Sequence, residues 1–179
     1  MKYCSQCGSA QLIHQIPPGD TLARFVCQNC QVIHYQNPKI VAGSLPEWED
    51  KVLLCQRAIE PRYGLWTLPA GFMENHESLE QAAQRETWEE ANAQIENLSL
   101  YTVISLPHIS QVYIMFRAQL QDLEFAPGTE SLAVQLFTQD EIPWERLAFP
   151  VIHRTLTSYF QDRMLGHFPV HVTDLFPNT

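Results

Sequence analysis

Apolar and polar positions change their period several times along this chain, and each change predicts an element. Residues 39–45 are rich in apolar positions, which predicts a strand. The polar cluster 46–50, opening on Pro46, predicts a turn, and 51–57, apolar at consecutive positions, predicts a strand internal to a sheet. Two more strand-like runs, 98–106 and 111–120, flank Pro107 and His108, and another covers 133–137. In two places the period lengthens to that of a helix. One helix begins at Ser78, which forms a capping-box pattern with Gln81 while Leu79 opens the apolar run. The other covers 150–164, with Pro150 in its first turn and Val151, Ile152, Leu156, Tyr159 and Phe160 as its apolar face. From Gly166 the pattern is lost, Pro169 and Pro177 interrupt the chain, and an irregular tail is expected over 166–179. The order of elements predicts an α/β fold, a mixed sheet with helices on both faces.

The first helix breaks its own pattern. Leu79, Ala82, Ala83, Glu86 and Glu90 share one arc, with Glu89 at its edge. Carboxylates on a buried stripe are costly unless something compensates them. Over 71–93 the chain carries six glutamates and one arginine. Glu74 and Glu80 read as surface residues, but Glu86, Glu89 and Glu90 converge at i, i+3 and i+4 and repel one another without a counterion. Arg85 can pair with Glu89 one turn on, which leaves the others uncompensated. A divalent cation such as Mg²⁺, or Mn²⁺ in its place, is the natural compensation, because hard cations select carboxylate oxygens.

Near the N-terminus the chemistry changes. Cys4-x-x-Cys7 and Cys27-x-x-Cys30 are separated by nineteen residues, the spacing of a zinc ribbon in which four thiolates close a tetrahedral site. Gly8 suits the tight turn after Cys7. His34 is a possible substitute ligand by position, but a place on a strand over 31–35 suits it better, and Cys55 falls inside an apolar run where a small buried residue is expected. A module of residues 1–36 is too small to build much core, so zinc should supply much of its folding energy. Asn37-Pro38 breaks the chain before the main domain, expected over 37–165.

Composition narrows the partners. The 179 residues, 45% of them hydrophobic, suit one main domain plus a small module. The net charge of −9, from 20 acidic against 11 basic residues, argues against generic binding to a nucleic-acid backbone but not against phosphate substrates, since bound metal inverts the local field. The sequence presents neither a signal-peptide pattern nor an 18-residue apolar stretch, so a cytoplasmic location and no membrane partner are expected.

Residues 71–93 resemble the Nudix box: Gly, five residues, Glu, seven residues, Arg-Glu, an apolar residue, any residue, Glu-Glu, any residue, Gly, an apolar residue. Gly71, Glu77, Arg85, Glu86, Glu89 and Glu90 match at these spacings. Thr87 stands where a bulky aliphatic is usual, and Asn92 replaces the glycine after the helix, a position where Asn tolerates the left-handed conformation. The resemblance implies a Nudix α/β/α sandwich behind a four-cysteine ribbon. It also implies hydrolysis of a nucleoside diphosphate linked to another moiety. Glu86, Glu89 and Glu90 would hold metal, with Glu77 as an outer or additional ligand, and Gly71 would need its conformational freedom because its carbonyl approaches the metal. Arg85 would orient a glutamate. The base is either a box acid or Glu130 on a later loop. Arg57 and Arg62 are candidates for phosphate, Gln111 and Tyr113 for the base or flavin side.

Flanking strings point further. IPPGD at 16–20, HYQNPK at 34–39, GLWTLPAGF at 64–72, ISQVY at 109–113 and APGTES at 126–131 resemble the short zinc-ribbon Nudix family that includes the FAD pyrophosphatase of plant chloroplasts. That resemblance implies cleavage of FAD to FMN and AMP, or of ADP-ribose to AMP and ribose 5-phosphate. The NADH and NAD-capped RNA group also carries a ribbon, but its SQPWPFP string is absent here. A non-catalytic nucleotide-binding regulator is the third reading, opposed by the intact acids. Relatives of this kind are often homodimers. The ribbon segment carries few bases, only Lys2 and Arg24 with Lys39 just beyond, so a nucleic-acid partner has little support.

Overall fold

The computed structural model describes residues 1–177. The chain divides into two units, Met1–Asn37 and the residues from Pro38 onward. The first unit is a three-stranded antiparallel sheet in the order β1-β2-β3, from β1 (Leu12–Gln15), β2 (Arg24–Cys27) and β3 (Ile33–His34). The strand expected over 31–35 is shorter because Gln31 is held in a turn with a φ of 60°. Each cysteine pair sits on the same tight turn. Gly8 N–H donates to the Cys4 carbonyl at 2.9 Å, and Gln31 N–H to that of Cys27 at 2.9 Å. Gly8 and Gln31 are equivalent positions, both left-handed. Glycine meets that demand without strain, whereas Gln31 carries a Cβ there.

The second unit is built on β4 (Lys39–Trp48), β5 (Lys51–Arg57), β6 (Trp66–Thr67), β7 (Ala70–Phe72), β8 (Ile95–Leu106), β9 (Gln111–Leu120), β10 (Ser131–Phe137) and β11 (His171–Asp174), with helices α1 (Leu79–Ala91) and α2 (Pro150–Leu165). The strand order is β10-β5-β4-β9-β8-β11, with β6 on β5 and β7 on β4. β4 pairs with β9 and β11 with β8 in parallel, and the other pairs are antiparallel, so the sheet is mixed. β4 and β5 pair only at their hairpin end, Glu47↔Val52 and Trp48↔Lys51, while Val41, Ala42 and Gly43 of β4 pair with β7.

Residue parity explains the layers. Leu45, Val52, Leu54 and Met115 pack with Ile152, Leu156 and Tyr159 of α2. Leu53, Cys55 and Ala118, one residue out of step, pack with Ala91 at the end of α1. Successive strand residues point to opposite faces, so the two helices cover the two sides. Ser44, on the α1 side, bonds the buried Thr87 hydroxyl at 2.6 Å, and Thr87 donates to the Ala83 carbonyl. Thr87 departs from the usual aliphatic because a hydroxyl partner is built opposite it.

Two expectations need correction. The cluster 46–50 is not all turn: β4 continues to Trp48, and only Glu49 and Asp50 turn the chain. Proline is tolerated in a strand where its missing donor is not needed, and pairing to β5 begins just after Pro46, at Glu47. The tail over 166–179 is not all irregular either, because β11 adds to the sheet edge from His171↔Thr102 to Asp174↔Ser105. Its alternation is too short and too polar to read as a strand in isolation. Asn178 and Thr179 of that expected tail lie outside the described residues. Among the described residues no helix is long and apolar enough to cross a membrane.

Candidate functional site

Two clusters of chemistry emerge, one in each unit. In the first, the ligand atoms of Cys4, Cys7, Cys27 and Cys30 all lie within 4.8 Å of one another. Cys4 and Cys30 Sγ are 3.6 Å apart, as are those of Cys7 and Cys27. A disulfide needs about 2.05 Å, so these thiols are free of one another. A tetrahedral zinc with Zn–S of about 2.3 Å separates its sulfurs by about 3.8 Å, so the spacing fits a four-thiolate site. The Cys7 thiol is pulled down to about 6 by a backbone hydrogen bond at Ser9 and the Asn29 amide. Cys30 is pushed up to about 12: the Val32 backbone hydrogen bond opposes the rise, but burial and the neighbouring thiols outweigh it. Among the described residues the cluster does not include His34.

The second cluster begins at α1. Ser78 caps the helix, its side chain accepting from Gln81 N–H at 3.2 Å while Gln81 accepts from Ser78 N–H at 2.8 Å. Asn92 ends it at φ 47°, ψ 32°, the left-handed cap. Its side chain donates to the Ala126 and Pro127 carbonyls at 3.1 and 3.2 Å, and Gly128 N–H donates to the Glu90 carbonyl at 3.0 Å. The end of the helix is thereby sewn to the loop that carries Glu130. A Cβ on Gly128 would collide with the Glu89 backbone.

Between these ends the acids divide into roles. Glu86 and Glu90 are both buried at 8% exposure, whereas Glu89 is exposed. Arg85 does more than pair with Glu89. Its Nη1 donates to Glu86 at 2.7 Å and Glu89 at 3.1 Å, its Nε and Nη2 hold both oxygens of Glu77 at 3.0 and 2.8 Å, and Nη2 reaches the Phe72 carbonyl. One guanidinium therefore compensates three acids. Glu77, held below the usual carboxylate range by Arg85 and the Glu74 backbone, is fixed on Arg85 and is not among the residues lining the cavity described below. Gly71 is required for a different reason than expected. Its φ is not positive, but a Cβ there would occupy the Glu86 carboxylate. Close approach, not conformational freedom, selects glycine.

Glu90 is the residue left over. Its Oε2 is buried with no hydrogen-bond partner. Burial, and then the charge of Glu86, push its carboxyl up to about 8 against the pull of Arg57 and the Ala70 backbone. Glu86 is raised as well, chiefly by burial and in spite of Arg85. Beneath them the Cys55 thiol is raised by burial and by Glu90. The orphaned Glu90 oxygen, the Glu86 carboxylate seated on Gly71 and the exposed Glu89 are donors of the kind a hard divalent cation selects, although among the described residues the group whose ligand atoms lie within 4.8 Å of one another is the four cysteines.

These residues share a cavity of about 970 Å³. Gly71, Glu86, Glu89, Glu90, Glu130, Arg57, Arg62, Gln111 and Tyr113, each singled out in the sequence, all line it. The charge of Glu130 acts on both Glu86 and Glu90, and its carbonyl is pinned by Ala58 N–H at 2.8 Å. Arg57 also bonds the Pro61 carbonyl and lies over the Phe149 ring. Sequence reasoning missed the rest of the wall: Phe72, Ile109, Val151, Leu175 and Phe176 among others. An apolar residue in a loop or at a strand end carries no signal of the cavity it faces.

Comparison with known proteins identifies the family. Residues 38–160 match the family model described as NUDIX domain, and residues 2–36 match the zinc-ribbon model described as Nudix N-terminal. The crystal structure of a NUDIX hydrolase from Nitrosomonas europaea is similar at 58% identity and a TM-score of 0.94, over 99% of this chain and 100% of that one. An ADP-ribose pyrophosphatase from Streptococcus suis shares the fold, with 23% identity and a TM-score of 0.63 over 76% of this chain and 99% of that one. The NAD-capped RNA hydrolase NudC of Salmonella paratyphi C is 31% identical over 145 residues, 79% of this chain and 53% of that protein. The chain thus spans about half the length of the curated relatives it matches.

Proposed function

We propose, from the premise that this chain belongs to the Nudix hydrolase family, that it hydrolyses the bond between the two phosphates of a nucleotide diphosphate linked to a second moiety. The observation that carries this reading is the orphaned, buried Glu90 oxygen beside Glu86 on the wall of a 970 Å³ cavity. Glu86, Glu89 and Glu90 would hold Mg²⁺ or Mn²⁺. When bound, that cation supplies neutralisation of phosphate charge and a lowered water pKa. The chain's own residues do the rest. Arg85 fixes the positions of Glu86 and Glu89, Gly71 leaves room for the Glu86 carboxylate, and Arg57 and Arg62 contact phosphate oxygens. Glu130, exposed on the same wall, takes the proton of the attacking water. The ribbon thiols hold a structural zinc, a closed site with no open position for catalysis.

The preferred substrates in this reading are FAD and ADP-ribose. The flanking strings support FAD, and the fold shared with an ADP-ribose pyrophosphatase is consistent with the second. NAD-capped RNA is the alternative, favoured by NudC relatives at about a third identity. The charge of −9 and the few bases of the ribbon weigh against an RNA partner. The same reading includes a cytoplasmic location and a homodimer, checked by fractionation and by light scattering. The deciding experiment compares kcat/KM for FAD, ADP-ribose, NADH and an NAD-capped RNA with Mg²⁺. FAD or ADP-ribose leading supports the proposal, while NADH or capped RNA leading by tenfold or more replaces it with the alternative.

A further inference from the structure

We propose that residues 175–177, which follow β11, form the base-side wall of this cavity, with the Phe176 ring as the platform for the flat heteroaromatic ring at the non-reacting end of the substrate. The proposal rests on the reading that nucleotide diphosphates are the substrates. It starts from a device the reaction itself does not use. Asp162 of α2 accepts from the Tyr101 hydroxyl at 2.7 Å, and the same Oδ2 lies 2.6 Å from His171 Nε2. This buried carboxylate staples β11 to the helix on one side, while the parallel ladder to β8 holds it on the other. Leu175 N–H then donates to the Ser105 carbonyl at 2.9 Å, and the Leu175 side chain packs on Ile104, Leu106 and Val151. The chain leaves this anchor directly onto the cavity wall, where Phe176 is 52% exposed.

Sheet geometry sets the distance. Gly71 of β7 pairs with Ala42 of β4 and lies against the Glu86 carboxylate, and β9, β8 and β11 follow β4 in order. Strands are spaced about 4.8 Å apart, so three spacings put β11 about 14 Å from β4. The cavity therefore has an acidic pole at Glu86 and Glu90 and an apolar pole at Leu106, Ile109, Leu175 and Phe176. A diphosphate bound at the first pole extends its attached base or flavin toward the second. Phenyl rings stack on flat heteroaromatics whatever their substituents, so one exposed ring at that distance serves adenine and isoalloxazine alike.

The test is F176A in the full chain, assayed with ADP-ribose and FAD. Stacking losses predict a KM raised roughly tenfold with kcat within about twofold, and KM restored by F176W. Calorimetric binding of AMP and of FMN to wild type and F176A identifies the ring that uses the platform, as the one whose affinity falls. Unchanged KM together with unchanged affinity for both nucleotides overturns the proposal, and so does a fall in kcat at constant KM. If the wild type cleaves no nucleotide diphosphate, the functional reading fails on its own. AMP and FMN binding then decides the platform separately: weaker binding to F176A supports it, while equal binding, or none to the wild type, overturns it.

Discussion

The four thiols of Met1–Asn37 converge as a cluster that could hold a metal, and the carboxylates of α1 are proposed to hold another, but their surroundings differ in one respect. The thiols converge by themselves, each pair on its own tight turn and all four within 4.8 Å. The carboxylates are apportioned: Arg85 holds Glu77, Glu86 and Glu89, and Glu90 is left buried with its Oε2 unpaired. A complete set of four soft ligands closes its coordination sphere and can only support structure. A set with one oxygen unsatisfied and two acids exposed at a cavity leaves positions for substrate. Under the proposed function, that difference separates a folding metal from a working one by what the protein does with the remaining valences.

The comparison breaks most visibly at the thiols. C27S should release zinc from the chain and unfold Met1–Asn37, since structural zinc contributes about 10 kcal/mol or more. Zinc content and the near-ultraviolet spectrum report it, and turnover by the second unit should persist. Complete loss of turnover would show that the two sites are not separate in kind. Next in size, E90Q should lower kcat by about 10²–10³, the scale for losing a group that acts on developing charge. The metal-free melting temperature should hold or rise, because a buried acid beside the Glu86 charge is gone.

The third prediction concerns pH. A folded carboxyl near 8 keeps a proton that the unfolded chain releases near 4.5, so Glu90 makes the metal-free protein less stable as pH rises between those values. Cation binding must expel that proton, and half of it is already gone at pH 8, so Mg²⁺ affinity should be about fiftyfold weaker at pH 6 than at pH 8. Melting curves across a Mg²⁺ titration at the two pH values measure this, and E90Q should flatten the difference. R85A should destabilise by about 2 kcal/mol, the worth of charge-assisted bonds lost from partly buried acids, with kcat falling as Glu86 and Glu89 lose their positions. Smallest of all, Q31G should stabilise the zinc-loaded ribbon by about 1 kcal/mol by relieving a left-handed non-glycine residue.

Local signals were the legible ones. Ser78 and Gln81 capped α1 as their spacing required, Asn92 took the left-handed cap, and Glu86 and Glu90 were buried where the helical arc placed them. The cysteine pairs could be read for the same reason, because each knuckle is a five-residue event. Arg85 was only half legible: its bond to Glu89 follows from one helical turn, but its grip on Glu77 needs the loop to fold back. β11 was missed because four residues of weak alternation gain their strand character only from the edge of β8. Thr87 looked like a departure until Ser44, distant in sequence, supplied its partner. The cavity wall at Leu175 and Phe176 was beyond sequence reasoning, since it depends on the order of strands across the sheet.

The central claim is that this chain breaks the bond between two phosphates with a divalent cation held by Glu86, Glu89 and Glu90. Product analysis tests it most directly. FAD and ADP-ribose are incubated with the protein and Mg²⁺, with and without EDTA, and the products are resolved by chromatography. The account predicts AMP with FMN, or AMP with ribose 5-phosphate, formed only with the cation and lost in E90Q. Products cut at any other bond, cation-independent turnover, or turnover of neither compound would contradict it.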